Sequence, residues 1–132
     1  MADKNQHPQL TGAEILWATL AGEGVDRVFG YPRGAILPAY DALRKFPGIH
    51  HVLVRHEQGA SHMADGYARA SGKPALVNLH SAAGTGHSLG NLFTAFRNCT
   101  PLVVTAGQQA RSILPFDPFL YNERAAEFPR PY

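Results

Sequence analysis

The sequence contains only one cysteine and no long apolar run, and both absences limit what the chain can be. Cys99 is the single thiol among 132 residues, so an internal disulfide is excluded. Because no C-x-x-C partner is present, we expect a buried, inert thiol. No run of about 18 or more apolar residues occurs, which argues against a membrane-spanning helix. Residues 1–10 are polar and lack the apolar segment of a secretory signal, so we expect a flexible N-terminal arm on a cytoplasmic protein.

Acidic residues are missing from the middle of the chain. All ten Asp and Glu residues lie outside residues 66–116, and the formal charges within that segment are positive, at Arg69, Lys73, Arg97 and Arg111. This distribution predicts a mildly positive surface that could face an anionic ligand. The net charge is only +2, and no basic cluster with interleaved aromatic residues is present. A nucleic-acid partner is therefore not expected.

Short apolar segments alternate with helical patterns along residues 11–132, which are long enough for one domain. Strands are predicted at 27–30, 51–55, 75–79 and 102–105. Helices are predicted after the capping box Thr11-Gly12-Ala13-Glu14 and at 35–46, 57–71, 87–97 and 120–127, with a small-residue loop at 81–86. Strands that alternate with helices favour a parallel sheet covered on both faces.

Glu57 stands where the second predicted strand gives way to a helix. A carboxylate at the end of a buried strand costs several kcal/mol to hide without a partner. Glu57 therefore either faces solvent in the first turn of the helix, where the helix dipole favours it, or has a function. Ligands of parallel sheets bind beyond the carboxyl ends of the strands, and three of the four ends here are rich in glycine. The spacing leaves both possibilities open.

A dinucleotide-binding loop is the first functional candidate, and the spacing disfavours it. Gly84-Thr85-Gly86 follows a strand, but the third glycine of G-x-G-x-x-G comes one residue late, at Gly90. The acidic residue expected about 20 residues further on is also missing, since none occurs before Asp117.

Metal binding by the histidines is the second candidate. His56-Glu57 begins like H-E-x-x-H, but Ala60 takes the place of the second histidine, and His62 does not share the same helix face. No metal ligands are therefore predicted, and most histidines are interpreted as surface or packing residues. His80 is the exception, because it ends a strand on the expected ligand edge beside accessible glycines.

Glu57 itself is the third candidate. A carboxyl group among apolar and small residues can share a proton with a ring nitrogen of a ligand. This interpretation predicts a heteroaromatic cofactor.

Two groups of segments resemble one superfamily of enzymes. Residues 30–43, 52–60 and 63–70 resemble acetohydroxyacid synthases, whereas residues 74–86, 105–109 and 128–131 resemble benzoylformate decarboxylase. Both are thiamine-diphosphate enzymes. The resemblance implies that residues 11–132 form their N-terminal pyrimidine-binding domain, a three-layer αβα fold around a parallel sheet that lacks its last strand and helix.

The resemblance also implies roles for individual residues. The family's matching glutamate, here Glu57, hydrogen-bonds N1′ of the aminopyrimidine and promotes the tautomer that removes the proton from C2 of the thiazolium. On this basis we expect the cofactor to lie against Glu57, Pro32, Gly34 and Gly84.

On the substrate side, the resemblance points to Gly34, His80 and Gln108. His80 matches a histidine that transfers protons in benzoylformate decarboxylase, and the acetohydroxyacid synthases lack it. Gly34 stands where that decarboxylase has a substrate-binding serine, which places benzoylformate in doubt as the substrate. Arg33 replaces a glycine common to both groups; it could attract a carboxylate substrate, but we expect it to point to solvent.

The implied activity is non-oxidative decarboxylation of a 2-oxo acid, with an acetolactate-forming carboligase and a non-catalytic interaction module as alternatives. The implied cofactors are thiamine diphosphate and Mg²⁺, with FAD only if the chain is synthase-like. The Mg²⁺ ion and the cofactor diphosphate would be held by a diphosphate-binding domain of the same or a partner subunit, in a homodimer or homotetramer.

Overall fold

A computed structural model describes residues 9–132 and shows four parallel strands with helices between them. The strands are β1 (Arg27–Gly30), β2 (His50–Leu53), β3 (Ala75–His80) and β4 (Leu102–Gly107), and the α-helices are α1 (Gly12–Gly22), α2 (Leu37–Leu43), α3 (Glu57–Ser71) and α4 (Ser81–Arg97). Short 3-10 helices span Gly34–Ile36, Leu114–Phe116 and Ala125–Glu127. The predicted N-terminal arm, residues 1–10, lies outside the described residues except for its last two.

The sheet has the order β2-β1-β3-β4, and every neighbouring pair is parallel. Successive strand residues point to opposite faces. Val28 and Leu76 pack with Trp17 in a core under α1 and α2, whereas Phe29 and Val77 belong to a second core under α3. Helices therefore cover both faces, and the predicted three-layer αβα fold is confirmed.

Capping residues define the ends of the helices. Thr11 caps α1, with its side chain accepting from the Glu14 amide while the Glu14 carboxylate accepts from the Thr11 amide. The same carboxylate forms an ion pair with Lys45, just beyond α2. Helix α3 ends at Gly72, whose φ of 70° is the left-handed conformation that glycine adopts without strain. The predicted helix bounds at 57–71 are confirmed.

The predicted loop at 81–86 is wrong, because α4 begins at Ser81, directly after His80. Ser81 makes the turn with a left-handed φ of 53°. Gly84, Thr85 and Gly86 have weak helix propensity, but packing of α4 against α3 outweighs it.

Two further expectations are corrected. The helix predicted at 120–127 is wrong except for the 3-10 turn Ala125–Glu127. Leu120 adopts a left-handed φ of 69° that an α-helix does not contain, and residues 121–124 form irregular structure and a turn. Cys99 is exposed. It follows the end of α4 with a φ of 53°, in an exposed turn that precedes β4.

None of the helices in the described part of the chain is long and apolar enough to cross a membrane.

Candidate functional site

The carboxyl ends of all four parallel strands lie at one edge of the sheet. Successive strands are added first on one side of β1 and then on the other. From β1 the chain continues to β2 on one side, whereas from β3 it continues to β4 on the other. The boundary between β1 and β3 is therefore the topological switch point at which parallel sheets open a crevice. Gly30 pairs with Asn78 at this boundary. A Cβ on Gly30 would lie 2.8 Å from the Asn78 carbonyl oxygen, so only glycine permits this approach.

Glu57 is the first residue of α3 and points toward α4. Its side chain is 13% exposed. Within residues 9–132, the polar partner of the carboxylate is His87, whose Nδ1 lies 3.4 Å from Oε2. The Ser88 hydroxyl donates to the Glu57 carbonyl oxygen at 3.1 Å and fixes the backbone. The carboxylate is thus nearly buried while most of its capacity to accept hydrogen bonds remains unused.

Gly84 lies in the first turn of α4, against the carboxylate. A Cβ at this position would come within 3.0 Å of Glu57 Oε1. The structure therefore brings together two of the predicted site residues, and the lack of a side chain at Gly84 is what allows Glu57 to lie there.

His80 ends β3 at the same edge and is only partly exposed. Its Nδ1 is buried and has no hydrogen-bond partner among the described residues. Burial lowers the pKa of His80, the positive charge of Arg33 lowers it further, and the negative charge of Glu57 acts in the opposite direction. The imidazole is therefore biased toward its neutral form, which can accept a proton.

Arg33 lies in the turn after β1 and is exposed, as expected. Its guanidinium carbon is 5.2 Å from the centre of the Tyr31 ring. Its charge nevertheless acts on His80, so the side chain contributes a positive field to the site.

The remaining predicted residues line the same edge at different places. Pro32 lies between β1 and the 3-10 helix that Gly34 begins. Gln108 follows β4 and lines a cavity of about 360 Å³ with Ser81 and Thr85. None of the other predicted site residues that the structure describes lines this cavity.

His56 and His87 were not predicted as site residues. His56 caps α3, with its Nδ1 accepting from the Gln58 amide at 3.3 Å. Its ring stacks on His87 at a centroid distance of 4.5 Å. The expected loop at 81–86 hid this arrangement, because only in a helix do Gly84 and His87, three residues apart, share a face.

The comparisons with known proteins begin with a family model. The model described as "Thiamine pyrophosphate enzyme, N-terminal TPP binding domain" matches residues 10–124.

Individual relatives include acetolactate synthases and decarboxylases. The large subunit of acetolactate synthase isozyme 3 from Escherichia coli is 49% identical over 110 residues, which is 83% of this chain and 19% of that protein. The structures of benzoylformate decarboxylase from Polynucleobacter necessarius and 4-hydroxybenzoylformate decarboxylase from Rhodococcus jostii are both 37% identical, with TM-scores of 0.83 and 0.85. The matches cover 94% and 92% of this chain and 23% of each of those chains. The chain thus spans about a fifth of the length of the curated relative, 19%.

Proposed function

We propose that Glu57 binds the aminopyrimidine ring of the cofactor, since the chain belongs to the family of N-terminal TPP-binding domains of thiamine pyrophosphate enzymes. The observation that carries this proposal is the state of its carboxylate, which is 13% exposed and has one polar partner among the described residues, at 3.4 Å. A nearly buried carboxylate with unused acceptor capacity is costly unless a ligand completes its hydrogen bonds.

The residues around Glu57 fit such a ring. Gly84 presents no side chain, so the Glu57 carboxylate can lie against α4, and the orphaned Nδ1 of His80 adds a second polar group at the same edge. The same residues do not fit Mg²⁺, which prefers oxygen ligands, because imidazoles and not further carboxylates flank Glu57. We assign Mg²⁺ and the diphosphate to a diphosphate-binding domain of the same or a partner subunit, in a homodimer or homotetramer.

Two side chains of this domain would act on protons. Glu57 would hold a proton at the ring nitrogen of the aminopyrimidine, where a carboxyl group can both donate and accept. His80, whose pKa is lowered chiefly by burial, would act from the substrate side as a neutral imidazole that accepts a proton. When bound, thiamine diphosphate supplies the nucleophilic carbon and the electron sink for loss of CO₂ from a 2-oxo acid.

We propose that the reaction is a decarboxylation of the benzoylformate-decarboxylase type, because His80 supplies a proton-transferring group at the ligand edge. The 49% identity with an acetolactate synthase favours carboligation as the second candidate. The products formed from pyruvate by the enzyme that contains this domain would separate them: acetaldehyde supports decarboxylation, and acetolactate supports carboligation. Because Gly34 replaces a serine, we expect slow turnover of benzoylformate itself.

Exchange of the thiazolium C2 proton tests the role of Glu57. In the enzyme that contains this domain, Glu57→Gln should slow this exchange by about 100-fold or more, since a positioned acid-base group contributes that much. Met63→Leu, on the exposed part of the same helix, is the matched control and should leave the rate unchanged. An unchanged exchange rate in Glu57→Gln would refute the proposed role.

A further inference from the structure

A cluster of three metal-ligating side chains lies at the starts of α3 and α4. His56 caps α3, Glu57 is its first residue, and His87 lies in the second turn of α4. Each offers one ligand atom, and the three atoms lie within 4.8 Å of one another. We propose that His56, Glu57 and His87 form a site for a divalent transition-metal ion such as Zn²⁺, and that the ion competes with the aminopyrimidine for Glu57.

The chemistry of the three groups selects the class of ion. Two imidazoles and one carboxylate suit Zn²⁺ and its transition-metal neighbours, whereas Mg²⁺ and Ca²⁺ prefer sets made of oxygen atoms. Three protein ligands with a water molecule in the fourth position are the common arrangement of an accessible zinc site. The position of His87 beside solvent leaves room for that water.

The cluster reaches the geometry of a zinc site through small movements. Ligand atoms around tetrahedral Zn²⁺ lie about 3.3 Å apart, given bonds of about 2.0–2.1 Å. The pair of His87 Nδ1 and Glu57 Oε2 is already at 3.4 Å. The His87 side chain is 49% exposed and the His56 side chain is also exposed, so both rings can rotate without disturbing the core.

One existing contact must be released when the ion binds. His56 Nδ1 accepts a hydrogen bond from the Gln58 amide at 3.3 Å, which leaves the proton of the neutral ring on Nε2. Coordination through either nitrogen therefore removes this cap. The Gln58 amide consequently reports on metal binding, because it loses its acceptor.

The competition rests on the function proposed above, since both ligands need the Glu57 carboxylate. Zinc bound there would withdraw the acceptor that the ring nitrogen requires. The metal site itself does not depend on that function, because it is built from side chains of this domain and can be tested without the cofactor.

Calorimetric titration of the 132-residue chain with Zn²⁺ tests the metal site. We expect one saturable site, weakened by at least about 10-fold in His87→Asn and in His56→Asn, which retains a capping side chain. His62→Asn is the matched control, because His62 is an exposed histidine of α3 that bonds the Gln58 carbonyl oxygen. The His62→Asn variant should bind Zn²⁺ with the affinity of the parent chain. Mg²⁺ should not compete with Zn²⁺ for the site.

Spectroscopy distinguishes this site from adventitious binding. Co²⁺ should give the intense visible bands of a four-coordinate ion, and the Gln58 amide resonance should move upon titration in the parent chain but not in His87→Asn. Absence of saturable Zn²⁺ binding, or an equal loss in His62→Asn, would overturn the metal site and leave the proposed function untouched. Thiamine diphosphate should displace Zn²⁺ in the enzyme that contains this domain. If Zn²⁺ binds through these residues and the cofactor does not displace it, the competition is refuted.

Discussion

Gly84 leaves the space in which the Glu57 side chain lies, since a Cβ at Gly84 would approach Glu57 Cγ to 2.9 Å. We therefore predict that Gly84→Ala displaces the carboxylate. The helix gains up to about 1 kcal/mol from the higher propensity of alanine, but overpacking costs about 1–3 kcal/mol, so the variant should be no more stable than the parent chain. Urea unfolding of the 132-residue chain measures the balance.

A double-mutant cycle isolates the contact. In a Glu57→Ala background the added methyl group meets far less, so Gly84→Ala should there show the propensity gain, with a coupling of about 1–3 kcal/mol. Gly90→Ala is the control within α4, because a Cβ at Gly90 meets nothing within 4 Å, and it should stabilise the chain by up to about 1 kcal/mol. Equal effects at Gly84 and Gly90 would show that Glu57 does not constrain Gly84.

The pKa of His80 should respond to its two charged neighbours in opposite directions. Arg33→Gln removes a positive charge and should raise the pKa of His80, whereas Glu57→Gln removes a negative charge and should lower it further. Imidazole proton resonances followed through a pH titration give both shifts. Arg111→Gln, which removes a positive charge elsewhere, should leave the titration unchanged. A lower pKa of His80 in Arg33→Gln would contradict the proposed effect of the Arg33 charge.

The sign for stability follows from the same pKa. Because the pKa of His80 is lowered in the folded chain from its usual 6.5, mainly by burial, the unfolded chain binds the proton more readily. His80 should therefore make the fold less stable in acid. Its effect on the free energy of unfolding is favourable above pH 6.5, and this advantage is lost as the pH falls below that value.

The capping box of α1 should make the free energy of unfolding fall at acid pH. The hydrogen bond from Lys45, followed by those from the Thr11 amide and hydroxyl, lowers the pKa of Glu14 from 4.5 to about 2. Glu14 therefore stabilises the fold above pH 4.5 and loses this effect as the pH falls toward about 2. Glu14→Gln should lower the urea midpoint near neutral pH, and the difference from the parent chain should shrink through this range.

Two further variants support that measurement. Glu23→Gln removes a carboxylate from the exposed C-terminal end of α1 and should change the midpoint little at any pH. Thr11→Ala should cost about 1 kcal/mol, the usual value of a lost N-cap. A constant difference between Glu14→Gln and the parent chain down to low pH would refute the assignment.

The sheet and the position of Glu57 at the start of a helix could be predicted from the sequence because they depend on local signals. Short β-branched runs, the Thr11–Glu14 spacing and Gly72 each have a direct structural meaning. The start of α4 could not be predicted, because Ser81, Gly84 and Gly86 are typical of loops and packing against α3 outweighs their propensities. The same error concealed His87, whose role requires knowing which helix face it occupies. The exposure of Cys99 depends on a left-handed turn that its residue type does not indicate.

The direct passage from β3 into α4 at Ser81 has a consequence for how this region can change in length. Elsewhere a loop could absorb an inserted residue, but here a single insertion between His80 and Gly84 would turn the rest of α4 by about 100°. That rotation would move Gly84, His87 and Ser88 away from Glu57 together. Insertions and deletions in relatives should therefore be absent between positions 80 and 88 and should accumulate in the irregular segment after β4, from which no hydrogen bond reaches Glu57 among the described residues.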